Sequence, residues 1–163
     1  MNLELILTNE NDLPEIAKLA HITWNEYYPA IVGQKQVDYM LASLYSNQAM
    51  KSQVEKEGQQ FYFIQLEGTR IGFLSISIKQ ELLFIHKFYI LSQNQKSGLG
   101  TKIMELIIKL FPQAKLFRLT VNRQNFKSIN FYFKNGFIIK EVADFDIGNG
   151  YFMNDFVMEK QML

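Results

Sequence analysis

The chain has no cysteine, one tryptophan, two histidines and three prolines in 163 residues. Without a thiol there is no disulfide framework, no thiolate metal site and no cysteine nucleophile. His21 and His86 are too few for a histidine-rich centre, so no metal is expected. Charge of one sign is also missing: 17 Lys and Arg against 16 Asp and Glu leave a formal net charge of +1. That balance gives no electrostatic footprint for nucleic acid or an anionic membrane and points to a small partner. No run reaches the roughly 18 apolar residues of a membrane span. The opening MNLELILTNENDLPEI turns acidic after a few apolar residues and lacks the basic start of a secretory signal. A cytoplasmic protein is the expectation.

What remains is ordinary globular composition, 48% hydrophobic and 20% charged, though rich in aromatics with 14 Phe and 8 Tyr. The length suits one compact domain over residues 1–163. Period-two and period-3.6 patterns alternate along it. LELILT (3–8) reads as a strand, and Pro14 to about Tyr28 as a helix opened by Asn9 to Asp12. Val37, Met40, Leu41 and Leu44 continue the helical spacing after Gly33, and Gln48 to Glu57 suits another short helix. QQFYFIQLEGTRIGFLSISI (59–78) is a hairpin turning at Glu67 to Arg70, and Leu82 to Leu91 a strand buried in mid-sheet. Gly98 to Phe111 forms an amphipathic helix stopped by Pro112. A strand (115–121), a helix (125–135) closed by Gly136, and strands at 137–142 and 151–158 complete the order. This order predicts a mixed sheet with helices on both faces.

The turn Gln95-Lys96-Ser97-Gly98-Leu99-Gly100 lies between the mid-sheet strand and its helix. Gly98 and Gly100 permit close backbone approach, and a helix N-terminus presents unpaired N–H groups and a positive dipole end, which suits phosphate. A tight turn without ligand would carry the same glycines. The nucleotide P-loop spacing is absent, and the dinucleotide fingerprint fails because Ile103 stands where its third glycine belongs.

Q-x-x-G-x-G after FYIL, with LTVNRQNFKSINFYFKNGF (119–137) downstream, resembles the acyl-CoA-binding segments of the GNAT superfamily of N-acyltransferases. The resemblance implies an α+β fold built on a mixed, mostly antiparallel sheet of about seven strands. It also implies acetyl transfer from acetyl-CoA to a primary amine by direct attack in a ternary complex. Phe88, Tyr89 and Ile90 would pair with the pantetheine amides in a splay between their strand and 115–121. Lys96 to Thr101, including Ser97, Gly98, Leu99 and Gly100, would bind the pyrophosphate, with Gln95 opening the motif. Asn125 would bond the cofactor arm, and Tyr132, seven residues on and on the same helix side, would sit by the sulfur and protonate the departing thiolate. By themselves Asn125 is a good N-cap and Tyr132 one member of an aromatic run.

The attacking nitrogen needs a base. His86 is the candidate, on one strand face with Phe84, Phe88 and Ile90; Glu81 is the second, pointing to the opposite face. The resemblance puts the acceptor between the first helices and last strands, where Trp24, Glu26, Tyr27, Tyr28, Asp38, Tyr39, Asp144, Asp146 and Asp155 offer aromatic faces and carboxylates to a cation. TWNEYYPAI and ADFDIGNGYFMNDFVMEK look most like a bacterial subgroup associated with polyamine (spermidine and spermine) acetylation. A protein N-terminus or lysine remains an alternative acceptor, and a non-catalytic acyl-CoA-binding regulatory module the alternative class. A homodimer is compatible with the strand-rich C-terminus.

Overall fold

The computed structural model describes residues 1–96 and 98–163. Among these residues the elements run β1 (Leu3–Leu7), α1 (Leu13–Tyr27), α2 (Pro29–Val32), α3 (Gln34–Tyr45), α4 (Asn47–Glu55), β2 (Gln60–Leu66), β3 (Thr69–Lys79) and β4 (Leu82–Ile90). There follow α5 (Leu99–Leu110), β5 (Leu116–Asn122), α6 (Phe126–Lys134), β6 (Ile138–Gly148) and β7 (Tyr151–Gln161). Each start has a local cause. Asn9 and Asp12 form a capping box ahead of α1, Pro14 occupies its first turn, and Ser46 caps α4 through Ala49 N–H. No helix of the described residues is long and apolar enough to cross a membrane.

The strands form one sheet in the order β1-β2-β3-β4-β5-β7-β6, antiparallel throughout except for β4 and β5. Period-two alternation sends Phe61, Phe63 and Phe73 to one face, under α1, α3 and α4, where Ile16, Ala20, Trp24, Val37 and Met40 close a core. Tyr62, Ile64, Leu74, Ile76, Leu83 and Ile85 face the other way, against Leu99, Ile103, Met104 and Ile107 of α5 and Ile129 of α6. The last hairpin is longer than its pattern predicts. β6 continues past Val142 to Gly148, turning at Asn149 and Gly150, both at positive φ. Its residues are almost all exposed, so its acidic ADFD stretch conflicts with no core.

Two irregularities of β4 shape the molecule. Its pairing with β5 covers only Leu82–Ile85 against Leu116–Leu119, although both strands run on. Its register with β3 slips between Ser75 and Ile76, so that Lys87 faces Ser75, Ile85 faces Ile76, and His86 has no cross-strand partner. Such a bulge re-aims side chains. Leu83 and Ile85 belong to the α5 core, and beyond the bulge Phe88 and Ile90 do too. The expected common face of His86 with Phe88 and Ile90 is thereby corrected: His86 stays with Phe84, ring centroids 4.6 Å apart. Gly72 lets β3 approach β4 here, because a Cβ on it would lie 2.2 Å from the Tyr89 carbonyl oxygen.

The same bulge turns Lys87 into the α1 side, where it is 7% exposed. Its ammonium donates to Gln53 Oε1 at 2.8 Å and Gln59 Oε1 at 2.9 Å and lies 5.1 Å from the centroid of the Phe61 ring. Burial lowers its pKa to about 8. The unfolded chain holds this proton to near the ordinary lysine value, so between these limits it binds more protons and stability rises with pH. Denaturant unfolding from pH 7.5 to 9 is expected to show a stability difference, wild type minus Lys87→Met, that grows by roughly 1 kcal/mol. A difference between the two proteins that stays constant over that range would contradict the burial of a charged amine.

Candidate active site

Where β4 and β5 separate, a cleft of about 820 Å³ passes through the sheet and joins its two faces. Phe88, Tyr89 and Ile90 form its β4 wall, with their strand edge free of β5. Gln95 Nε2 donates to the Ile90 carbonyl at 2.8 Å, and Lys127 of α6 donates to Gln95 Oε1, which tethers the following turn. Gly98 takes the left-handed conformation at φ 84°, so α5 can begin at Leu99 with its first-turn amides aimed at the cleft. Lys96, Leu99, Gly100 and Thr101 line the same end, while Ser97 lies outside the described residues.

Gly100 couples this turn to α6. A Cβ at this position would stand 2.7 Å from the Phe131 ring and would push that ring aside, so glycine lets α5 settle against the side chain where it lies. α6 thereby reaches the cleft with Asn125 and Tyr132. Asn125 Oδ1 accepts from Ser128 N–H at 3.1 Å as the N-cap, and its Nδ2 donates to Tyr28 Oη at 3.2 Å. Tyr132 packs edge-on between Phe131 and Phe137, at 5.2 and 5.5 Å, and its hydroxyl bonds no group among the described residues. Burial, with a smaller contribution from Tyr28, pushes its pKa up, so it keeps its proton at neutral pH.

The opposite side of the cleft is aromatic and acidic. Trp24 stacks on Tyr28 at 4.5 Å and meets Tyr89 at 5.8 Å. Asp155 of β7 is 1% exposed, and its Oδ1 has no hydrogen-bond partner. Burial lifts this carboxyl to about 6. Other acceptor-side candidates are committed elsewhere. Glu26 lines the cleft, but its two oxygens accept from Ser92 N–H at 3.1 Å and Ser92 Oγ at 3.0 Å, fastening α1 to the segment after β4. Tyr39 bonds the Ile147 carbonyl, Asp38 accepts from Gln34, Asp144 pairs with Arg123, and Asp146 accepts from Gly148 N–H.

The base candidates also separate. His86 borders the cleft, yet its Nε2 lies 2.7 Å from Ser77 Oγ, and burial with the Lys87 charge pushes its pKa down to about 4. Glu81 sits outside the cleft in the β3–β4 turn, paired with Lys115. Thr120, Asn122 and Lys127 line the cleft without having been candidates. The signal for the first two lay in the end of β5, which had to extend past its last β4 partner once a splay was expected.

A family model described as Acetyltransferase (GNAT) family matches residues 16–137. Spermidine N(1)-acetyltransferase of Thermoplasma acidophilum is 24% identical, with 99% of this chain and 98% of that protein aligned. The crystal structure of PaiA N-acetyltransferase from Thermoplasma acidophilum in complex with coenzyme A superposes with a TM-score of 0.77 at 24% identity, covering 99% of this chain and all of that one. A GCN5-related N-acetyltransferase from Rhodopseudomonas palustris superposes with a TM-score of 0.80 at 17% identity, over 99% and 97% of the two chains. The matched segment runs from α1 to the residue before β6 and contains the splay, the Gly98 turn and the Asn125–Tyr132 helix, so the chain belongs to the GNAT acetyltransferase family, whose enzymes use acetyl-CoA.

Proposed function

We propose that residues 1–163 act as one domain that transfers acetyl from acetyl-CoA to a primary amine, both substrates meeting in the gap between β4 and β5. The observation that carries this is a cleft open to both faces of the sheet, with a phosphate-suited turn and a protonated tyrosine on one face and aromatics with a carboxylate on the other. The free edge of β4 at Phe88 to Ile90 would bond the extended pantetheine amides as an added strand does. The turn at Lys96 to Thr101 would hold the pyrophosphate at the α5 N-terminus. Asn125 would then contact the arm and Tyr132 donate its proton to the leaving sulfur, for which a raised pKa keeps the hydroxyl ready.

A polyamine acceptor is the reading we favour. The curated relative at 24% identity is named for spermidine, and Trp24, Tyr28 and Asp155 present ring faces and a carboxylate of the kind that attracts cationic nitrogen.

Thiol release from acetyl-CoA with spermidine and other amines tests the enzyme reading. Tyr132→Phe is expected to lower kcat about 100-fold while leaving the KM for acetyl-CoA within about threefold, an interaction used only in the transition state. Binding of acetyl-CoA without amine-stimulated release, and no change in Tyr132→Phe, would leave a binding module instead. Gly98→Ala places a side chain at φ 84°, a strain of about 1–2 kcal/mol. Coenzyme A affinity by calorimetry should fall about tenfold, and unchanged affinity would remove this turn from the donor site.

A further inference from the structure

An acceptor amine arrives as an ammonium and must lose a proton before it can attack. This inference rests on the amine-acetylation reading above and concerns which group takes that proton. One imidazole and two carboxyls border the acceptor side, beside Lys87, whose ammonium is held by Gln53 and Gln59. His86 holds Ser77 Oγ at 2.7 Å and stacks on Phe84, and Glu26 spends both oxygens on Ser92. Asp155 differs from both. It is 1% exposed, it stands in the cleft wall, and Oδ1 has no partner among the described residues. A buried carboxylate oxygen without a donor is costly, and such vacancies persist where a ligand supplies the missing hydrogen bond.

Register explains how β7 reaches the reaction. Asp155 lies opposite Asn122, the last residue of β5, beyond the point where β5 leaves β4. On its other flank it lies opposite Ala143 of β6. Facing it are Thr120 on β5, Arg123 after β5, Asp144 on β6 and Tyr28 after α1. Arg123 is held by Asp144 at 2.9 Å and approaches the backbone oxygens of Ala143 and Asp155; its charge and the Thr120 hydroxyl oppose the rise that burial causes, and Oδ1 still has no partner among the described residues.

We propose that Asp155 is the general base of the transfer, its unpartnered oxygen accepting a hydrogen bond from the acceptor ammonium and then its proton. The neutral nitrogen forms the C–N bond to the thioester carbonyl carbon, and the tetrahedral adduct breaks the C–S bond. The thiolate takes the Tyr132 proton. The nitrogen's second proton passes to solvent, which reprotonates Tyr132, and Asp155 returns its proton to solvent. One ammonium proton is thus released per turnover. Asp155, at about 6, is ionised at neutral pH and the stronger base of the two, since His86 is held at about 4.

The test compares spermidine with trifluoroethylamine, a weakly basic amine whose nitrogen is largely neutral at pH 7. Wild-type kcat with spermidine is expected to fall on an acidic limb near pH 6. Asp155→Asn should lower spermidine turnover about 100-fold or more, lose that limb, and keep coenzyme A affinity by calorimetry. With trifluoroethylamine its defect should shrink at least about tenfold, because no proton needs removing before the attack; a structural or charge-anchoring role would not produce that selective rescue. An acidic limb that persists in Asp155→Asn, or equal loss with both amines, overturns the assignment. Should Asp155→Asn not fold, the wild type decides: the limb stays near pH 6 with spermidine and with benzylamine, and a limb that moves with each amine's own basicity overturns it. Absence of thiol release with every amine while acetyl-CoA binds would instead overturn the amine reading itself.

Discussion

β4 and β5 stop pairing after Ile85 and Leu119, and everything at the candidate site depends on that separation. Two parallel strands that continued in register would bury their edges in each other and leave a closed sheet. Parting after four paired residues exposes backbone on β4 and opens a passage between two cores that the sheet otherwise keeps apart. The bulge at His86 sits where the strands diverge, which is why the side chains on either side of it belong to different faces.

The passage needs walls that hold their positions, and those come from close packing. Gly100 against Phe131 joins α5 to α6, Gln95 ties the turn both to β4 and to Lys127, and Asn125 reaches across to Tyr28. The phosphate-suited turn, the N-cap of α6 and the aromatic wall after α1 are therefore one mechanical unit. Glu26, bonded to Ser92, belongs to that unit as a fastening.

Desolvation then sets the acid–base chemistry. The same low-dielectric surroundings keep Tyr132 protonated, make His86 a weak base and raise Asp155 toward neutrality. Three groups within one cleft thus differ in how readily they hold a proton. Lys87, on the same strand but turned to the other face by the bulge, carries the electrostatic cost of that geometry.

Much of the fold was legible because its signals are local. Proline and Asn caps, the apolar stripe of α5, the alternation in β2 and β3, and the glycines at Gly98 and Gly100 act on residues a few positions away. Asn125 and Tyr132, seven residues apart, share a helix side for the same reason. β6 was underestimated since an exposed edge strand needs no hydrophobic alternation. His86, Glu26 and Asp155 could not be ranked from their neighbours in the chain. A one-residue slip against β3, a bond to Ser92 and a place opposite Asn122 decided them. Sequence by itself determined most of the elements and the glycine turn at Gly98, whose conformations depend on short-range backbone geometry. Only tertiary structure decided which ionisable groups are free, because burial and hydrogen-bond partners come from residues far away along the chain.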